Sequence, residues 1–273
     1  MLTLVACSLT SACEDLSGLD TGVPADGGPD SSSAADARGE TGAPASGETG
    51  AAGGDSGMDS GTEAGKEAGA DAGGASLIQQ TSATASQVMS TMLQFSAVPT
   101  SGDALILATN STHSTPISVT GGGVDWSMVA SSGVHEATSL WAGFAVSSGS
   151  MAIVVTWSDV ESGVAVCATE WSGLAGILQQ ATQDGNAQAI ITAAATTTVS
   201  DALILAAIGM HDHGATLVGN SFTPFPTVAL ASSDLQLMGA YDRVSVAGSY
   251  SASWTQADLE GWDALIAVFS VTP

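Results

Sequence analysis

The hexapeptide DALILA occurs twice in this chain of 273 residues, at Asp103–Ala108 and again at Asp201–Ala206. After the leading Asp, both copies are apolar at consecutive positions, whereas a strand with one face in water alternates apolar and polar residues. Consecutive apolar residues indicate strands that are covered on both faces or lie centrally in a large sandwich. The repeat therefore predicts a β protein made of two related halves.

The rest of the chain supports an internal duplication. From Leu77 onward the sequence aligns with itself at offsets of 97 to 100 residues. The matched pairs are LIQQ at Leu77–Gln80 with ILQQ at Ile177–Gln180, Asp103 with Asp201, His113 with His211, the strands ending at Trp157 and Trp254, and Asp159-Val-Glu161 with Asp258-Leu-Glu260. Several anchors in nearly one register are typical of a duplicated unit.

The folded region is predicted to be all-β. Its apolar runs are short, rich in Val, Ile, Leu, Thr and Trp, and separated by turn residues, with no sustained helical periodicity. We predict one antiparallel, jelly-roll-like β-sandwich over residues 76–273, with pseudo-repeated halves at 77–175 and 177–273. The alternative is two tandem immunoglobulin-like sandwiches, because each half has that size. The junction EWSGLAGILQQ has no Pro-rich or charged linker, which favours one domain.

The charge balance argues against nucleic acid as a partner and disfavours binding to an anionic membrane surface. The chain has 27 acidic and 3 basic residues, a formal net charge of −24. Nucleic-acid binding needs clustered Lys and Arg, and anionic membrane surfaces also attract basic segments. A cationic partner or a divalent cation fits this balance. Residues 14–75 are rich in Gly, Ala, Ser and Asp and are predicted to form a disordered acidic linker.

The N-terminal stretch MLTLVACSLTSAC resembles the lipobox of bacterial lipoproteins, in which the cysteine is lipidated. Cys7 is the better candidate, and Cys13 is the alternative because it lacks the leucine three residues earlier. Six residues before Cys7 are too few for a signal peptide, so residues 1–13 are expected to be a truncated signal segment. The resemblance implies a bacterial cell-envelope protein, outer-membrane-anchored or secreted, that touches the membrane only through a lipid anchor.

The folded region carries a second resemblance. The succession SGDALILA, SLWAGFAVSSGSMAIVVTW, AVCATEWSGL, SDALILAA, GSYSASW and WDALIAVF resembles a β-sandwich domain of uncharacterised secreted bacterial proteins. The resemblance covers about residues 77–272. It implies a fold and a setting beside carbohydrate-binding or adhesion modules, and it implies no activity.

Two sets of side chains are candidate metal ligands. Acidic turn loops supply the oxygen ligands that calcium needs, which indicates a calcium site at Asp159, Glu161, Asp258, Glu260 and Asp263. His211 and His213 would face one side of a strand, and His113 occupies the matching point of the first half. These three imidazoles suit a transition metal such as zinc. In both cases the alternative is an ordinary polar surface loop.

Trp126 is the candidate ligand-binding aromatic, because the glycine run at 121–123 beside it could present the ring to a sugar. No catalytic residues are assigned, and no cofactor other than calcium is expected. The sequence favours a non-enzymatic surface lipoprotein that binds a glycan or a protein. The alternatives are a secreted hydrolase with an unrecognised loop site and a purely structural envelope protein.

Overall fold

A computed structural model describes residues 74–147, 149–211, 214–219 and 221–272. Cys7, Cys13, His213 and residues 14–73 of the predicted linker at 14–75 lie outside the described residues. The described residues belong to one compact unit and form strands, turns and loops. Among them there is no helix that is long and apolar enough to cross a membrane.

The first half has eight strands in two sheets. The strands are β1 (Ser76–Ala85), β2 (Val88–Gln94), β3 (Ala104–Ser111), β4 (Ser118–Gly121), β5 (Ser127–Ser132), β6 (Thr138–Gly143), β7 (Ala152–Glu161) and β8 (Val164–Ser172). The larger sheet has the order β1-β8-β3-β6-β5 and the smaller one β2-β7-β4, with antiparallel pairing throughout. The order β1-β8-β3-β6 opposite β2-β7-β4 is that of a jelly roll.

The second half repeats this topology. Its strands are β9 (Leu174–Asn186), β10 (Ala189–Ile191), β11 (Ala195–Thr197), β12 (Ala202–Met210), β13 (Thr216–Leu217), β14 (Thr223–Pro224), β15 (Val228–Leu230), β16 (Leu235–Val244), β17 (Gly248–Tyr250), β18 (Ser253–Thr255) and β19 (Gly261–Val271). The large sheet has the order β9-β19-β12-β16, and both β14 and β15 pair with β16. The short strands form β10-β18-β13 and β11-β17. Each ladder of the first half thus has a counterpart, which confirms the two pseudo-repeated halves.

The DALILA strands are central, as predicted. On β3, Leu105 and Leu107 face the core between the two sheets of the first half, while Ile106 faces the second half. On β12, Ile204 and Ile208 face the core of the second half. Its Leu203 and Leu205 instead join the cluster that contains Ile106. Because both faces of each strand are covered, every residue of β12 is buried.

The two large sheets therefore pack face to face, and the smaller sheet or sheets of each half cover the outer face of that half's large sheet, which makes four layers. We call the contact between the large sheets the seam. In the seam, Trp171 of β8 packs edge-on against Tyr241 of β16, with ring centroids 5.0 Å apart. Phe225 lies 6.5 Å from Trp171 and 5.2 Å from Tyr241. Each half thus has its own sandwich core, and the seam joins the two cores into one body.

Candidate functional site

One end of the body brings the loops of both halves together. β3 ends at Ser111 and β12 ends at Met210, and the side chain of Asn110 connects the two ends across the seam. Its buried Nδ2 donates to the carbonyl of Gln236 at 2.7 Å, while its Oδ1 accepts from Thr138 Oγ1 at 3.2 Å. We call this end the histidine end, because His113, His135 and His211 all lie on its loops.

Glu161 fixes the loop that follows β3. It is fully buried at the end of β7. Its carboxylate accepts hydrogen bonds from the backbone N–H groups of His113 at 2.9 Å and Ser114 at 3.1 Å. It also accepts from the hydroxyls of Ser114 at 2.6 Å and Thr112 at 3.2 Å. The His113 ring lies over the same carboxylate, with Nδ1 3.3 Å from Oε2 and 63% of the side chain exposed.

Asp263 fixes a loop of the other half. This fully buried side chain projects from β19, yet its hydrogen-bond donors all lie in the β5–β6 segment. It accepts from the backbone N–H groups of His135 at 3.0 Å, Glu136 at 2.5 Å and Val134 at 3.3 Å, and from the hydroxyl of Ser132. A carboxylate of the second half therefore holds a loop of the first.

Glu136 makes a third link across the seam, after Asn110 and Asp263. Its side chain is 3% exposed, and its Oε1 lies 2.8 Å from Nε2 of His211, which is half exposed at the end of β12. Burial, together with the negative charges of Asp263 and Glu161, raises the pKa of Glu136 to about 8. The Oε2 atom is buried and has no hydrogen-bond partner among the described residues.

The structure distributes the predicted calcium ligands over different environments. Asp159, Asp258 and Glu260 are exposed, whereas Glu161 and Asp263 are buried and engaged by the loops described above. The two copies of Asp-x-Glu therefore match in sequence and differ in surroundings. The calcium site stays a prediction.

The predicted histidine set is also divided. His113 lies on Glu161 and His211 on Glu136, so each pairs with its own carboxylate at the histidine end. His213 lies outside the described residues. Within the described ranges, no group of three or more His, Cys, Asp or Glu side chains is arranged to hold a metal ion.

Trp126 is half buried against the core of the first half. The adjacent Gly121, Gly122 and Gly123 all have positive φ, a conformation that glycine adopts without strain. This turn brings the carbonyl of Gly121 within 3.0 Å of the indole Nε1, which donates to it. The glycine run thus folds over Trp126. The role of this residue in ligand binding remains a prediction.

A second pair of acids lies at the opposite end. Asp103, the first residue of DALILA, is buried and hydrogen-bonded to Glu170, which is fully buried on β8. Burial, this hydrogen bond and the charge of Glu170 raise the pKa of Asp103 to about 6. Glu170 also accepts from Gln79 Nε2 at 2.5 Å and from the backbone N–H of Thr100 at 2.6 Å. Through these hydrogen bonds, Glu170 fixes the position of the loop that precedes β3.

Cys167 is a free thiol at the seam. Burial raises its pKa to about 11, so the thiol stays protonated at neutral pH and is a poor nucleophile. Cys167 therefore acts as a small apolar side chain at the seam.

Sequence reasoning missed Glu136 and the pairing of Asp263 with the β5–β6 loop. Glu136 and Asp263 are 127 residues apart, in different halves. No local pattern marks Glu136, and only the alignment of the two halves could have suggested that His211 would lie at a shared end.

The chain matches no protein-family model, no curated protein and no solved structure.

Proposed function

We propose that this chain is a non-enzymatic bacterial surface lipoprotein whose ligand binds at the histidine end. The observation that carries the proposal is the way buried acids hold the loops there. Glu161 and Asp263 accept backbone N–H groups of residues 113–114 and 134–136, which fixes loops that bear exposed side chains. A binding surface that is already ordered loses little conformational entropy when its ligand arrives.

The same contacts argue against the hydrolase alternative. A general acid or base must reach the substrate, whereas Glu161 and Asp263 are fully buried and turned toward loop backbone. The side chains that remain exposed on these loops are His113, His135 and Val134, a mixture of polar and apolar groups. Such a surface suits a polar ligand, and we propose a surface glycan, with a protein partner as the alternative.

A glycan array tests the site with a matched pair of variants. Val134 is 63% exposed at the histidine end, and Val246 is 65% exposed after β16, at the opposite end. The Val134→Asp variant of the full chain should lose glycan binding, and the Val246→Asp variant should retain it. Equal loss in both variants, or an array with no binding, contradicts a glycan site here. Adhesion to cells that survives deglycosylation assigns the partner to protein.

The lipid anchor has its own test. Expressed in a bacterium behind a complete signal peptide, the chain should partition into detergent through a lipid on Cys7 or Cys13. Cys7→Ser should abolish this partition if Cys7 carries the lipid, and Cys13→Ser should abolish it in the other case. Water solubility of the unchanged chain contradicts anchoring and leaves a secreted protein.

A further inference from the structure

Glu136 differs from the other buried acids of the histidine end in how its oxygens are used. Glu161 and Asp263 each accept several hydrogen bonds from neighbouring loops. Glu136 has one contact, from Oε1 to His211 Nε2, and its Oε2 is buried without a partner among the described residues. A buried carboxylate oxygen with no donor is costly, so native structures usually give it a proton, a donor or a cation.

The charged groups around Glu136 are mainly negative. Asp263 and Glu161 both act on it as like charges. Arg243 is the only Lys or Arg after residue 66. It pairs with Leu203, near the start of β12, whereas His211 follows the end of that strand. Glu136 thus faces the imidazole of His211, two further buried acids and no Lys or Arg side chain among the residues described at this end.

We propose that Glu136 and His211 form a binding site for a divalent transition-metal ion of the zinc type. The carboxylate would supply one or both oxygens, which would give Oε2 a partner, and the imidazole would supply Nε2. This mixed set favours a transition metal, because calcium and magnesium prefer oxygen ligands alone.

The present geometry is close to what such an ion needs. Zinc binds imidazole nitrogen and carboxylate oxygen at about 2.0–2.1 Å, and tetrahedral geometry then separates neighbouring ligand atoms by about 3.3 Å. Nε2 and Oε1 are already 2.8 Å apart. His211 is half exposed, so a small rotation of its ring admits the ion and leaves the remaining coordination positions to water.

The site joins the halves, because Glu136 lies before β6 and His211 follows β12. An ion that binds only this assembled arrangement stabilises the folded state by mass action. Two protein ligands imply weaker binding than at a structural zinc site, which has four. The proposal stands independently of glycan or protein binding at the loops.

Thermal unfolding of the full chain at constant pH tests the site, with EDTA and then with Zn²⁺ titrated in. We expect a saturable rise in Tm of about 5–10 °C when Zn²⁺ is roughly 100-fold above its Kd, and no comparable rise with Ca²⁺. Calorimetric titration should give one ion per chain. Both signals should be lost in His211→Gln, a change at an exposed side chain that preserves the fold, and in Glu136→Gln.

His113→Gln is the matched control, because His113 lies on a carboxylate that already has four hydrogen-bond donors. It should bind Zn²⁺ like the unchanged chain. The proposal is overturned if the unchanged chain binds no Zn²⁺ in saturable fashion. It is overturned equally if His211→Gln binds as well as the unchanged chain, or if His113→Gln loses the site.

Discussion

Glu161 illustrates what a fully buried acid does in this protein. Its negative charge faces two backbone N–H groups and two hydroxyls, and these hydrogen bonds compensate for removing it from water. The Glu260 side chain occupies the matching sequence position of the second half and is exposed. The loop after β3 covers the first position, whereas His211, which follows β12, is turned toward Glu136 in the other half.

Replacing Glu161 by Gln should destabilise the protein by about 1–3 kcal/mol, because the new amide group would face backbone donors and leave them unsatisfied. Glu260→Gln makes the same chemical change at an exposed side chain and should alter the free energy of unfolding by less than about 0.5 kcal/mol. Urea unfolding of both variants measures the difference. Equal effects would show that Glu161 does not hold the loop.

Asp103 should make stability depend on pH in the acidic range. Its pKa is raised from 3.8 to about 6 in the folded state, so the folded protein binds the proton more tightly than the unfolded chain. The contribution of Asp103 to the free energy of unfolding is fully present below pH 3.8 and is lost as the pH rises through 6. The loss is on the order of 1 kcal/mol.

Thermal unfolding of the unchanged chain and of Asp103→Asn, in EDTA, checks this direction. The Tm of the unchanged chain should fall relative to the variant between pH 4 and pH 7, and the difference should be constant above pH 7. If the Tm of the unchanged chain instead rises relative to that of Asp103→Asn in this window, Asp103 is stabilised as the charged form.

At the level of elements, the seam requires close approach of β12 to β3 and β6. Gly209 on β12 faces Asn110 and Thr138, and a methyl group there would clash with the side-chain oxygens of both. Those two groups bond to each other and connect the halves, so they cannot move independently.

Gly209→Ala should therefore destabilise the protein by about 1–3 kcal/mol through overpacking. Gly176→Ala on β9 is the control, since its methyl group would meet only Ser270 Oγ at 3.8 Å, an ordinary contact. That change should be neutral or slightly stabilising in urea unfolding. If the two variants change the free energy of unfolding equally, β12 does not approach β3 and β6 as closely as described.

The strands were more predictable than the site. Consecutive apolar residues in DALILA correctly indicated burial of both faces, and Trp157 and Trp254 are core residues at matching strands. These features depend on local pattern, which the sequence carries directly. The contacts of Glu136 with His211 and with Asp263 depend on how two halves dock, and no local pattern encodes that packing.

At the scale of the whole molecule, the two repeats form one body through the seam. The contact is apolar away from the histidine end, where Trp171 of the first half packs against Phe225 and Tyr241 of the second. It is polar at the histidine end, where Asn110, Asp263 and the Glu136–His211 pair cross it. Either half alone would expose the large apolar face of its sheet, so we expect the halves to fold and unfold together.

Differential scanning calorimetry of the full chain, in EDTA, tests most directly whether the two halves unfold together. We predict a single transition over the folded region, with a calorimetric enthalpy equal to the van't Hoff enthalpy. Two separated transitions, each with about half of the total enthalpy, would show that the halves unfold independently. In that case the histidine end would not be a fixed arrangement of both halves, and the sites placed there would lose their structural basis.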